Sequence, residues 1–477
     1  MLEVVAGLVR DGERFLICQR PVHKARGLMW EFAGGKVESG ETGPQALKRE
    51  LREELGVEVE VQERVADVTY AYPELTVHLT LYGTAIVSGT PQLLEHNELR
   101  WIALDEAVDG DFCPADQLLL AELRRRGEHM VRNIAIVSLS AGTIGEDFAK
   151  HEVEIGLRRL KEYGVNVKMT PHAQAGIEYV KNHPEKRAED LIRAFADDSI
   201  DMILCAIGGD DTYRLAPYLF ENDALKRALK PKIFLGFSDS TMNHLMLHRL
   251  GLNTFYGQSF LADVCELEDE MLPYTAQYFG ELLRTGRIRE IVPSDVWYEE
   301  RTDWSVNAVG TPRVRHANEG FQLLQGAPVF HGKILGGCLE TIYDIFNNDR
   351  YPDTVSVCEK YGLFPTLDDW RGKILLLETS EERPSPDRYR RMLEALKRTG
   401  VFGAVAGVLC GKPMDEVYFE EYKRIIVEVV GDPQLPIVAN LNIGHATPRC
   451  ILPFGVQATV DAVAQRITFD CDCHPAG

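Results

Sequence analysis

DMILCAIGGDDTYRLAPYLFENDALKRALKPKIFLGFSDST, residues 201–241, is the stretch that decides the fold of most of this chain. The apolar run 201–207 meets Gly208-Gly209, a helical stretch spans 212–220, and a second apolar run, 231–236, ends in Gly236-Phe237-Ser238. Short unbroken apolar runs separated by helical segments read as buried parallel strands joined by crossover helices. The rhythm continues outward, with strand 134–139, helix 146–163, strand 165–169 and helix 187–197 upstream and helix 240–250 downstream. The pattern predicts a parallel sheet covered by helices. After about residue 262 it blurs through an acidic, aromatic stretch, then resumes with strands at 373–378, 403–409 and 435–440. A smaller domain starting near residue 325 is expected.

Upstream of residue 129 the pattern is different. Residues 2–8 and 13–20 alternate apolar and polar around Asp11-Gly12, as a β-hairpin does, and strand-like runs recur at 64–71 and 75–87. A helix over 114–127 carries three consecutive arginines and ends at Gly127. The expected organisation is therefore an α+β domain over 1–128, an α/β parallel-sheet domain with an inter-domain segment over 129–324, and a smaller C-terminal domain over 325–477.

At 477 residues, with 45% hydrophobic and 26% charged, the chain exceeds one core. A formal net charge of -21 argues against binding a nucleic-acid backbone, which needs a positive face to replace counterions. The N-terminal alternation breaks too early for a signal peptide, and no 18-residue apolar run follows. A protein free of membranes and not exported by that route is expected. Cys18, Cys205, Cys358 and Cys410 sit singly in apolar runs, as reduced core thiols in a cytoplasm do. Cys471, Cys473 and His474 could hold a metal, but without a second pair they read better as a frayed tail. A homodimer is compatible with the sequence.

The first chemistry lies on the predicted helix after Gly35. Thr42 and Gln45 have capping-box spacing, Pro44 falls in the first turn and Gly56 supplies the stop. Glu50, Glu53 and Glu54 fall at i, i+3 and i+4, so three carboxylates share one face and repel unless a cation neutralises them. Hard oxygen donors suit Mg²⁺ or Mn²⁺. Glu41 and Arg49 could hold those carboxylates in place. The bland alternative is a solvated acidic face. Against it stands the full pattern of Gly35, Glu41, Arg49-Glu50, Glu53-Glu54 and Gly56, which resembles the Nudix box at every spacing, over about residues 2–126. Trp30–Glu38 is similar to the subgroup that hydrolyses nucleoside triphosphates, with Ala33 where that subgroup usually has proline. By the same resemblance Asp116 in Pro114-Ala115-Asp116 is a base reader or a helix N-cap, and Arg20 a phosphate contact.

The second chemistry starts at Ser238, where an apolar strand runs into Gly-Phe-Ser and at once into a helix, the setting of a nucleophile elbow. Taken alone, Ser238 reads better as a helix cap than as a nucleophile. Glu378 directly follows four apolar residues at a strand end, and His445 sits in a glycine loop after another strand. Together they supply a nucleophile, a base and an orienter. The turn Gly208-Gly209 offers bare N–H groups for an oxyanion, or for a phosphate.

These motifs resemble the LD-carboxypeptidase family of serine peptidases over residues 133–468. The resemblance implies Ser238 as nucleophile, Glu378 and His445 as its partners, and the N–H groups of Gly209 and Asp239 as oxyanion donors, with no cofactor at this site. It also implies a Rossmann-like N-terminal domain and a smaller β-rich C-terminal one. Residues 207–215, Gly336–Glu340 and the segment after Glu378 look closer to the microcin C self-immunity branch, which cleaves an amide joining an acidic amino acid or peptide to a nucleotide-like group. The expected function is a two-activity hydrolase acting on small molecules: an amide of a peptidyl- or aminoacyl-nucleotide, and a nucleoside di- or triphosphate. The alternative is a carboxypeptidase for murein peptides beside an unrelated Nudix activity. Trp297, Tyr298 and Trp304 could stack a base or pack a seam.

Overall fold

The computed structural model describes residues 2–11, 14–127 and 131–470. Gly12 of the expected hairpin turn, the boundary at residue 129 and the cluster Cys471, Cys473 and His474 lie outside the described residues. The chain divides into two compact units, Met1–His129 and Met130–Gly477.

In the first unit, strands Trp30–Glu31, Arg14–Gln19, Leu2–Asp11, Thr76–Ser88 and Glu58–Ala71 lie side by side in that order, with Gly34–Lys36 and Glu98–Ile102 attached to the path. Leu2–Asp11 runs parallel to Thr76–Ser88, and the consecutive residues Val5–Val9 are all buried, so this strand is covered on both faces and does not follow the one-sided alternation expected. Helix Gly43–Leu55 packs Leu47, Leu51 and Leu55 with Val5, Val9 and Leu16, and helix Pro114–Gly127 packs Leu119, Leu120 and Leu123 with Leu8 and Phe32. Two helices on two faces of one sheet leave the strand edges near Gly34–Lys36 free to meet the first helix.

The second unit holds two main sheets. Asn166–Met169, Asn133–Val137, Met202–Cys205, Ile233–Gly236 and Thr254–Tyr256 pair in parallel, and Leu452–Phe454 closes the row antiparallel to Thr254–Tyr256. The other sheet has a parallel centre of Val329–Cys338, Ile374–Glu378, Gly407–Gly411 and Ile437–Leu441, flanked by antiparallel strands. The strand expected at 403–409 lies later, because Val401–Gly403 forms a 3-10 turn and the ladder begins at Gly407. One continuous apolar core runs under both sheets. The carboxyl ends of Met202–Cys205, Ile233–Gly236 and Ile374–Glu378 carry the residues of interest. Among the described residues, no helix is long and apolar enough to cross a membrane.

Candidate active sites

Strand Ile233–Gly236 leads through Phe237 into a single 3-10 turn, Ser238–Ser240, and then helix Thr241–Arg249. Ser238 has φ of 63°, in the left-handed region that side-chain-bearing residues rarely adopt. The turn thereby lifts its hydroxyl off the sheet end. The N-cap position of the helix is held by Ser240, not Ser238, and Ser240 makes no side-chain capping hydrogen bond. A Cβ on Gly208 would lie 2.6 Å from Ser238 Oγ and 3.3 Å from Asp239 N, so the Gly208-Gly209 turn is pressed against this corner and needs glycine.

His445 Nε2 lies 3.0 Å from Ser238 Oγ, and Nδ1 lies 2.8 Å from Glu378 Oε2. Glu378 ends its strand 2% exposed, so both oxygens need partners. Oε2 also accepts the His445 backbone N–H at 3.2 Å, and Oε1 accepts the Tyr256 hydroxyl at 2.6 Å. The Tyr256 oxygen in turn accepts the Ser238 N–H at 3.2 Å. Gly444 has φ of 82°, and a Cβ there would fall 2.3 Å from Glu378 Oε2, so only glycine lets the loop come this close. Arg449 ties the loop down by donating to the His445 carbonyl at 3.1 Å and to Asp263 at 3.0 Å.

A second carboxylate competes for the same ring. Glu381 Oε2 is 3.1 Å from His445 Nε2. Burial lowers the imidazole pKa, but Glu378 and Glu381 outweigh it and raise it to about 10. Glu340 braces the segment from behind, accepting Ser380 N–H at 3.0 Å and its hydroxyl at 2.8 Å, and burial beside Glu378 pushes its carboxyl up to about 7. The Asp239 carboxylate turns inward to Ser140 and Thr212, and burial raises its pKa. The corner opens into a cleft of about 280 Å³ whose walls include Asp210, Asp344, Glu381, Glu382 and Arg350. Arg350 meets Asp344 at 3.3 Å and Glu382 at 2.5 Å. Trp297 is buried against His316, with ring centroids 4.4 Å apart, and Trp304 packs on the cluster of Ile155, Leu267 and Ala308.

In the first unit, the Thr42 N–H donates to Gln45 Oε1 at 2.9 Å at the start of helix Gly43–Leu55, and Gly56, with φ of 68°, ends it. Arg49 gathers the acids, reaching Glu41 at 2.9 Å, Glu50 at 2.9 Å and Glu53 at 3.3 Å. A Cβ on Gly35 would lie 2.3 Å from the Glu50 carboxyl carbon, so this glycine lets the strand approach the acid. Glu54 accepts the Gly34 N–H at 3.1 Å, and burial together with Glu31 and Glu50 raises its carboxyl to about 7. One guanidinium offsets only part of the charge of Glu41, Glu50 and Glu53, and their hard oxygen donors suit a divalent cation. Arg20 pairs with Glu31 and donates to the Ala25 carbonyl at 2.9 Å. Asp116 is the third residue of helix Pro114–Gly127, not its N-cap. It accepts the Phe32 N–H at 3.0 Å, and burial followed by Glu31 raises its carboxyl to about 8.

The profile described as LD-carboxypeptidase N-terminal domain matches residues 134–257, its C-terminal counterpart matches 331–460, and the NUDIX domain profile matches 4–122. A structure described as MccF-like protein from Streptococcus pneumoniae in complex with AMP is 64% identical, with a TM-score of 0.71, and covers 72% of this chain and 100% of its own. The chain belongs to the LD-carboxypeptidase family and carries a NUDIX domain. The Nudix unit is 42% identical over 120 residues to CTP pyrophosphohydrolase of Escherichia coli (strain K12), covering 25% of this chain and 89% of that protein. Microcin C7 self immunity protein MccF in complex with aspartyl sulfamoyl adenosine, 22% identical with a TM-score of 0.58 over 71% of this chain and 96% of its own, shares the fold. The chain is thus a bifunctional hydrolase within the MccF-like part of its family, and Nudix hydrolases use divalent metal ions.

Tyr256 and Arg449, which hold Glu378 and the His445 loop, were not legible in the sequence. Tyr256 offered one signal, the aromatic run Thr254–Tyr256 ahead of Gly257.

Proposed function

We propose that Ser238, His445 and Glu378 hydrolyse an amide joining an acidic aminoacyl or peptidyl group to a nucleotide-like moiety, while the Nudix helix serves nucleoside di- or triphosphate hydrolysis with Mg²⁺ or Mn²⁺. The observation that carries the reading is the unbroken line from Ser238 Oγ through both His445 nitrogens to Glu378, at 3.0 and 2.8 Å. His445 Nε2 takes the hydroxyl proton as Oγ attacks the carbonyl, and Glu378 holds the ring in the tautomer that leaves Nε2 free to accept it. The N–H groups of Gly209 and Asp239 receive the developing oxyanion. His445 then returns the proton to the leaving nitrogen, and water repeats the cycle on the acyl-serine.

On the Nudix side Glu50, Glu53 and Glu54 would hold the ion, with Glu41 and Arg49 keeping them in register; once bound, it would supply charge for phosphate oxygens and an acidified water. Asp116 reads the base through its protonated carboxyl. Arg20 reaches phosphate from its place beside Glu31.

The AMP complex of the Streptococcus pneumoniae protein supports a nucleotide moiety in the cleft. In this reading residues 1–128 are the Nudix domain, 129–324 the Rossmann-like domain with its inter-domain segment, and 325–477 the β-rich domain. Eight buried free cysteines among the described residues support a cytoplasmic site of action. The test is incubation with an aminoacyl sulfamoyl-adenylate and, separately, a murein tetrapeptide, with products identified by mass. Release of the amino acid from the first supports the reading; cleavage of the murein peptide alone overturns it.

A further inference from the structure

Cys338 has no part in the hydrolysis described above, yet it stands directly beside the catalytic pair. It ends strand Val329–Cys338, which runs parallel to Ile374–Glu378 in a register that sets Cys338 opposite Glu378. Its sulfur, one oxygen of Glu378 and one ring nitrogen of His445 all lie within 4.8 Å of one another. The three residues are 2, 2 and 6% exposed. Cys338 nevertheless lines the same cleft as Ser238, so a small ion has a route from solvent. The thiol also has a proton acceptor at hand, since Sγ lies 3.5 Å from Glu340 Oε2.

Thiolate, imidazole and carboxylate together are the donors of a zinc site. Bond lengths of about 2.0 Å to nitrogen and oxygen and about 2.3 Å to sulfur place tetrahedral donors about 3.3–3.6 Å apart, inside the observed spread. The charges balance as well. One thiolate and one carboxylate neutralise a divalent ion, which a buried pocket requires.

We propose that Cys338, Glu378 and His445 form an inhibitory Zn²⁺ site that switches the peptidase off. Zinc takes Cys338 Sγ, Glu378 Oε2 and His445 Nδ1; the thiol proton leaves to solvent, and the single ring proton of the neutral imidazole is exchanged from Nδ1 to Nε2. Nothing is oxidised or reduced. The ring then carries its one proton on Nε2, where it faces Ser238 as a donor and cannot accept the hydroxyl proton. Glu378 is at the same time withdrawn from orienting the imidazole. Loss of activity rests on the triad reading above, whereas metal capture by these three donors does not.

The experiment uses the full chain, stripped of metal. Hydrolysis of an aminoacyl sulfamoyl-adenylate is titrated with ZnCl₂, and the near-ultraviolet spectrum is followed as CoCl₂ is added. The Nudix carboxylates bind cobalt through oxygen and give no thiolate-to-cobalt charge-transfer band. Wild type is expected to lose amide hydrolysis at micromolar zinc, recover it in EDTA, and show that band. Cys338→Ser and Cys338→Ala, each normalised to its own zinc-free rate, are expected to need at least about tenfold more zinc and to lack the band. Two variants are used so that one misfolded protein does not decide the result. Equal zinc sensitivity in both variants, or no band in wild type, overturns the site. A Cys338-dependent band without inhibition overturns the inhibitory role and places the fault in the triad reading.

Discussion

Replacing Glu381 with glutamine probes how the histidine is held at rest. Its carboxylate lies 3.1 Å from the same Nε2 that Ser238 must use, and the Glu381 side chain is 65% exposed. Water screens the pair from the Glu381 side only, since His445 is buried, so the dielectric of water sets the least that the pair contributes. At 3.1 Å a unit charge then contributes at least about 1.3 kcal/mol, roughly one pK unit. The sign follows from the protonation state that works. His445 is raised to about 10, so at neutral pH it is mostly imidazolium, and only its neutral form accepts the serine proton. Removing a neighbouring negative charge lowers that pKa and enlarges the neutral fraction. Glu381→Gln is expected to move the acid limb of kcat/KM down by at least about one unit and to raise kcat/KM near pH 7 at least about tenfold. The assay is release of the amino acid from an aminoacyl sulfamoyl-adenylate, followed from about pH 5 to about pH 10. An unmoved limb, or one moved upward, would refute the idea that Glu381 holds the imidazolium.

Ser238→Ala should reduce amide hydrolysis by about 10⁴-fold or more and leave nucleotide hydrolysis intact; both rates are read on one preparation. Glu53→Gln and Glu54→Gln should lower nucleotide hydrolysis about a hundredfold through loss of the cation, and EDTA should abolish it without lowering amide hydrolysis. Tyr256→Phe strips Glu378 Oε1 of its donor at 2.6 Å, which should cost about 1–3 kcal/mol in urea unfolding and slow turnover. Gly208→Ala places a Cβ 2.6 Å from Ser238 Oγ, and the displaced hydroxyl should cost about a hundredfold in kcat while circular dichroism stays native.

Much of this architecture was readable because apolar runs end abruptly at or beside the candidate site residues. Ile374–Glu378 is short, wholly buried and ends in its acid, and Ile233–Gly236 is short, wholly buried and one residue short of Ser238, so the sequence marks both strands and their tips. The Nudix helix was readable for a related reason, since its cap, stop and carboxylate spacing are all local. Contacts formed by tertiary folding were not. Glu381 lies in a polar stretch that reads as solvated, and only the return of the His445 loop brings the two together. The partnership of Arg20 with Glu31 depends on strand pairing across the hairpin at Trp30, which no spacing reveals. The strand at 407–411 was misplaced because Val401, Phe402 and Val405 continue the apolar run through a 3-10 turn.

Thr254 pairs with Phe454 and Tyr256 with Leu452, two hundred residues further along the chain. A ribosome that has passed His445 has already made the nucleophile, the base and the orienting acid. It has not yet made the strand that lies beside Tyr256, the residue holding Glu378 in place. The support that Tyr256 gives Glu378 therefore sits beside a strand made after all three candidate catalytic residues, so a chain cut before Leu452 should lose amide hydrolysis while keeping Ser238, Glu378 and His445.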